Sequence, residues 1–189
     1  MRYAARKIFS KLWLTATLLL LGLTVIAPPT AVPGERVLPE YHLQAAYIVN
    51  FIRFTTWPES VFTDKDKDIV LGILGEDRFG SVLDIIDGEN IKNRRLQVLR
   101  LGSGGDPHGC HILYISDSEH RHLRQILASL KGTSTMTVSD MDNFAEEGGM
   151  IQIKKIDNKV KIFINIAATR EAGLQLRANL LSIATLINQ

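Results

Sequence analysis

Apolar positions recur at helical spacing once the chain passes Pro39. Leu43, Ala46, Tyr47, Phe51 and Phe54 recur at spacings of three and four from one turn to the next and mark one face, and Trp57-Pro58 ends the run. A charged turn at residues 64–68 leads into a nearly continuous apolar stretch, 69–74, of the kind expected for a strand covered on both sides. A loop at 75–80 and a short helix at 81–86 follow, closed by Asp87-Gly88. Residues 96–101 alternate as a strand, 102–107 form a Gly-rich loop, and 111–115 read as a second buried strand. Ser118 is placed to cap a helix running to Leu130, with Leu123, Ile126, Leu127 and Leu130 facing inward, and Lys131-Gly132 ends it. A short strand at 136–138 and a polar loop at 139–143 come next. Ile151, Ile153 and Ile156 then alternate with polar residues, as do Val160, Ile162, Ile164 and Ile166, across an Asp157-Asn158 turn, the pattern of a hairpin. The spacing of Leu174, Leu176, Leu180, Leu181, Ile183 and Ile187 predicts one long helix over 167–187, apolar on most sides, with Asn165 near enough to cap it. Repeated strand–helix units argue for an α/β domain with helices on both faces of a mostly parallel sheet, made mixed by the C-terminal hairpin.

The first 34 residues stand apart. Arg2, Arg6, Lys7 and Lys11 carry their only charges, an apolar run fills 12–27, and small residues and prolines extend to Pro33-Gly34. This is the layout of a secretory signal peptide, with cleavage after Ala31 or Gly34; the alternative is an uncleaved anchor, for which the run of about 16 residues is short. The predicted division is therefore 1–34 as leader and 35–189 as the α/β domain. Net charge over the chain is +2. Without the leader the balance is mildly acidic, which gives no electrostatic reason to expect a nucleic-acid partner. Hydrophobic residues at 46% and charged residues at 22% are ordinary for a globular domain and exclude a disordered or collagen-like chain.

Export makes the lone cysteine informative. Cys110 has no intrachain partner for a disulfide, and its place at the head of a buried strand favours a structural thiol over a reactive one. No phosphate-binding loop, dinucleotide fingerprint or nucleophile elbow is present. The glycines at 102–105 lead to Asp106-Pro107 rather than to a helix, so they do not make a phosphate cradle. His108, His111, His120 and His122 lack zinc spacing and read as surface residues. Lys154, Lys155, Lys159 and Lys161 read as edge protection on the hairpin rather than as an anion site. No cofactor, metal or catalytic set is expected. Two places retain interest as binding sites. Ligands of α/β sheets bind beyond the carboxyl ends of the strands, where Arg78, Phe79, Asp140 and Phe144 fall; the plainer reading makes Phe79 a core anchor and Arg78 a solvated cation. Arg53 and Arg177, inside otherwise apolar helices, either snorkel or serve a carboxylate or a partner.

The ordered phrases Leu43-Gln44-Ala45-Ala46-Tyr47-Ile48-Val49-Asn50-Phe51, Trp57-Pro58, Leu74-Gly75-Glu76-Asp77-Arg78-Phe79-Gly80, Cys110-His111-Ile112-Leu113-Tyr114-Ile115-Ser116, Thr137-Val138-Ser139-Asp140 with Phe144 and Gly148-Gly149-Met150-Ile151, and Ile164-Asn165-Ile166-Ala167-Ala168 with Ala172-Gly173-Leu174 resemble the YfiR family over about residues 41–187. The resemblance implies a periplasmic protein with a Rossmann-like sandwich, dimeric and not an enzyme. Such a protein binds the periplasmic sensory domain of an inner-membrane diguanylate cyclase and holds it inactive. An outer-membrane peptidoglycan-binding lipoprotein can sequester the inhibitor, releasing cyclic-di-GMP synthesis and favouring biofilm. The alternative reading is a periplasmic small-molecule-binding or sensor protein partnered with another membrane receptor or kinase. A half-cystine common on the first strand of the family is matched here by Gly72, so a redox switch does not carry over.

Overall fold

The computed structural model describes residues 39–62 and 68–188. The proposed leader at 1–34 and residues 64–67 of the charged turn lie outside them. The first helix, α1, spans Pro39–Phe54 and runs directly into a two-residue strand, β1, at Thr55–Thr56. Trp57-Pro58 ends it as expected, and a 3-10 turn follows at Glu59–Phe62. The parallel core then builds through β2 (Ile69–Leu74), α2 (Val82–Ile86), β3 (Asn90–Ile91), β4 (Arg94–Gly102), β5 (Ile112–Ile115), α3 (Leu123–Ser129) and β6 (Met136–Ser139). It closes with the hairpin β7 (Ile151–Ile156) and β8 (Lys159–Asn165).

The sheet order is β3, β4, β2, β5, β6, β7, β8 and a last strand, β10 (Thr185–Ile187). Strands β4, β2, β5, β6 and β7 are parallel, while β7–β8 and β3–β4 are antiparallel. The mixed α/β architecture inferred from the repeated units is therefore the architecture observed. Both hairpin turns place two residues in the left-handed region, Lys92-Asn93 between β3 and β4 and Asp157-Asn158 between β7 and β8. That geometry matches the twist of the strands it joins.

Alternation along the strands sorts the core into two layers. Ile69, Leu71 and Ile73 of β2, Ile112 and Tyr114 of β5, and Met136 and Val138 of β6 pack with Ile48, Phe51 and Ile52 of α1. The opposite face carries Leu74, Leu113 and Ile115 against Leu123 and Leu130, with Ile126 and Leu127 half-buried beside them. Helices thus cover both faces of the sheet, and a strand buried on both sides must be apolar throughout, as β5 is.

Two expectations need correction. Residues 117–122 form a 3-10 helix, Asp117–His122, before α3 begins. The Ser118 hydroxyl does not cap that helix; it accepts from the Glu76 amide at 2.9 Å. The long C-terminal helix is absent. In its place stand α4 (Ile166–Glu171), β9 (Gln175–Leu176), α5 (Ala178–Leu181) and β10. Asn165 does cap the first of these, accepting from the Ala168 amide at 2.9 Å. Gly173 then takes a left-handed conformation (φ 72°) that stops the helix. Two open sheet edges claim the rest: Gln175-Leu176 pairs antiparallel with Thr55-Thr56, and Thr185–Ile187 pairs in parallel with Phe163, Ile164 and Asn165 of β8. The apolar positions are met by different surroundings, with Leu174 and Leu180 buried and Ile183 exposed.

Candidate functional site

The parallel strands point their carboxyl ends at one rim of the sheet. Helix α1 precedes β2 and runs against it, so its first turns lie over that rim and its last turns over the opposite one, about 24 Å away for 16 residues. The six residues singled out from sequence fall into two groups at these two ends.

Arg78 and Asp140 belong to the carboxyl rim. Three residues not singled out, Tyr41 and Gln44 of α1 and Tyr114 of β5, join them. The Tyr114 hydroxyl reaches Gln44 Oε1 at 3.3 Å, and Gln44 Nε2 faces Asp140 Oδ2 at 3.5 Å. Burial pushes the Tyr114 hydroxyl far above the ordinary tyrosine range, and the Asp140 carboxylate beside it adds to the shift. This hydroxyl therefore stays protonated and acts as a donor. Arg78 is exposed and donates to the Tyr41 hydroxyl. That hydrogen bond raises the guanidinium pKa, opposed by partial burial and reinforced by the charges of Glu76 and Asp140. The Arg78–Glu76 contact is long, at 3.5 Å.

Phe79 supports this rim from beneath, whereas Phe144 lies in the opposite core layer with Leu74 and Leu123. Phe79 is fully buried and meets Tyr41 and Tyr114 edge-on, with ring centroids 5.5 and 4.8 Å apart. Its amide and that of Gly80 donate to Asp77 Oδ1, and Arg100 binds Asp77 and Asp84 at 2.7 Å each, so the loop is fixed from several sides. Phe144 is likewise fully buried. Neither ring is open to a ligand; Tyr41 is the aromatic surface this rim presents. Phe79 anchors the loop in the core, and Arg78 stands at the surface against Tyr41 and Glu76.

Arg53 and Arg177 lie at the far end of α1. Arg53 is exposed in its last turn. Arg177 is not inside a helix but precedes α5, and its amide donates to the Phe54 carbonyl at 2.8 Å. Lys92 completes a basic corner by donating to the Thr55 carbonyl, and its pKa is lowered by burial and by the nearby Arg177 charge.

The histidines divide. His108, His120 and His122 are exposed, but His111 is buried, a correction to the surface reading. Its Nδ1 accepts from the Val70 amide at 3.0 Å and its ring stacks on Phe62 at 4.6 Å, so it bridges β2 and β5. Among the described residues no group of three or more His, Cys, Asp or Glu converges to hold a metal ion. Cys110 is a buried free thiol; burial raises its pKa and the Asp106 charge adds to this, which keeps it unreactive. Lys154 and Lys155 pair with Asp142 at 2.5 Å and Glu40 at 3.3 Å. Strand β10 covers only the Phe163–Asn165 end of β8, so Lys159 and Lys161 do lie along an open edge.

The carboxyl rim combines a cation, a carboxylate, an amide and two tyrosines on rigid strand and helix ends. Arg78, Tyr41 and Asp140 reach the surface, while Tyr114 and Gln44 are buried behind them. A search of curated proteins finds no match. A family model described as YfiR/HmsC-like matches residues 41–185, from the first turn of α1 to the first residue of β10 and more than three quarters of the 189 residues. The phrases of the rim fall within that span, and the chain belongs to the YfiR/HmsC-like family.

Proposed function

We propose that this chain is an exported regulator that binds the periplasmic sensory domain of an inner-membrane diguanylate cyclase and holds it in its inactive conformation. Family membership over residues 41–185 is the observation that carries the reading. The basic-apolar leader at 1–34 supports export, with 35–189 as the working domain. Repression is then a population shift: the regulator prefers one cyclase conformation and draws the equilibrium toward it by its differential affinity. The Tyr41–Arg78–Asp140 rim is the partner-facing patch, acting as a dimer, and an outer-membrane peptidoglycan-binding lipoprotein competes for the regulator.

The test is co-purification of residues 35–189 with the periplasmic domain of a candidate cyclase, together with cyclic-di-GMP measured after deletion of the gene. Association and a rise in cyclic-di-GMP are expected. Arg78→Ala should weaken binding about tenfold, the effect of losing one interface arginine worth roughly 1.4 kcal/mol. No association and unchanged cyclic-di-GMP would refute the proposal. A sensor reading has one observation in its favour: a cleft of about 520 Å3 between α3 and α4, floored by Leu127, Met150 and Ala168, within the size range of ligand sites.

A further inference from the structure

The chain leaves β2 for β4 on one side and later returns to place β5 on the other. The gap between the carboxyl ends of β2 and β5 is therefore the point where the winding reverses, the place where open α/β sheets form a crevice. At that point stands Glu119, in the 3-10 helix that follows β5. It is only 2% exposed. A buried carboxylate ordinarily requires strong donors, and this one has weak ones. Oε1 meets the Ser118 hydroxyl at 3.4 Å, and Oε2 meets His122 Nδ1 at 3.6 Å. A charge-assisted hydrogen bond is about 2.7–2.9 Å long.

The buried side chain borders a cleft. Glu119 and His122 line a cleft of about 280 Å3 whose other walls include Leu74, Pro107 and Ile126, with the Ser103-Gly104-Gly105 backbone at its mouth. Gly75 lets the two segments meet: a Cβ there would lie 2.9 Å from Glu119 Cγ. The close approach of the β2 end to the 3-10 helix is what places the carboxylate at the base of the cleft.

We propose that this cleft binds a small organic cation, a primary ammonium on a short aliphatic body. The ammonium donates to Glu119 Oε2 at the base, and the aliphatic part lies on Leu74, Pro107 and Ile126. An ammonium fits because it supplies the missing donors and the compensating charge together, while the apolar walls take a chain of a few carbons. The site is separate from the Tyr41–Arg78–Asp140 rim, and the proposal does not depend on the cyclase reading.

The experiment titrates residues 35–189 with n-butylamine, butanol, butyrate and zinc ion, read by calorimetry and by the shift in Tm. Saturable binding of butylammonium is expected, at least tenfold tighter than butanol or butyrate. Glu119→Gln should weaken it at least tenfold, and Ile126→Trp, which fills the cleft and leaves the carboxylate in place, should weaken it similarly. The second variant keeps the test decisive should Glu119→Gln fail to fold. No saturable response, equal binding of butanol, or a response retained in Ile126→Trp would overturn the proposal. So would zinc binding abolished by His122→Ala with no response to the amine.

Discussion

Gly72 offers the sharpest quantitative test of the packing between the sheet and α3. A Cβ added there would lie 2.5 Å from Cys110 Sγ, 3.0 Å from Leu113 Cδ1 and 3.2 Å from Leu101 Cδ1. Contact between such atoms is optimal at about 3.5–4.0 Å, so Gly72→Ala forces an overlap of about 1 Å onto a buried thiol. Overpacking of this kind costs about 1–3 kcal/mol. The conformational gain from replacing a strand glycine offsets roughly 0.5–1 kcal/mol. The net loss is about 1–2 kcal/mol, which for a domain of this size lowers Tm by about 2–8 °C. Urea denaturation and thermal circular dichroism of the single variants and of Gly72→Ala/Cys110→Ala form a double-mutant cycle. Removing the sulfur should relieve the clash, giving a coupling of about 1 kcal/mol or more. Gly72→Cys tests the same geometry covalently: it should bond to Cys110, leave no free thiol under oxidising conditions, and raise stability by about 2–4 kcal/mol over its reduced form. A Gly72→Ala protein as stable as the wild type, or a cycle with no coupling, would refute the reasoning.

Other predictions follow from single contacts. Tyr114→Phe removes a buried hydroxyl from Gln44, which is itself buried, and should cost about 1–3 kcal/mol by leaving that amide oxygen short of a donor, measured by urea denaturation. Asn165→Ala removes the α4 cap and the 2.9 Å bond from Nδ2 to the Ala145 carbonyl; a loss of about 2–4 kcal/mol is expected, with Asn165→Asp restoring the cap but not the second bond. The exposed pair His108–Asp106 gives a pH signature. Its side-chain hydrogen bond raises the His108 pKa, and the Asp106 pKa is lowered first by the His108 backbone amide and then by the ring. The ion pair therefore exists between the two pKa values, dissolving as pH falls through that of Asp106 or rises through that of His108. An NMR titration should place the His108 midpoint above the ordinary histidine value, and Asp106→Asn should bring it down.

Much of the fold is legible from local pattern because the pattern itself imposes it. A run such as Ile69–Leu74 has no polar face to give to water, so it must lie inside a covered sheet. The spacing from Leu43 to Phe54 does mark a helix, but the face it picks out is not the one the sheet buries: Leu43 and Ala46 are exposed, Tyr47 and Phe54 half-buried, and only Phe51 joins Gln44, Ala45, Ile48 and Ile52 in the buried face. The Asp157-Asn158 turn carries its own left-handed preference. The rim was only half legible. Arg78 and Asp140 stand out as charges in strand-end loops. Tyr114 is concealed in an apolar run and Tyr41 and Gln44 in a helix face, and only the closing of α1 over β5 brings them together. Glu119 gave no signal at all, since an acid near a helix start ordinarily points to water.

Residues 167–187 mark the boundary between the two kinds of information. The sequence alone dictated that this segment is apolar, that Asn165 opens it with a cap, and that it packs rather than floats. It did not dictate helix or strand, because both bury the same leucines at similar cost. The choice fell to partners distant in the chain: the unpaired backbone of Thr55-Thr56 and the open edge of β8 each supply hydrogen bonds that a strand can take and a helix cannot.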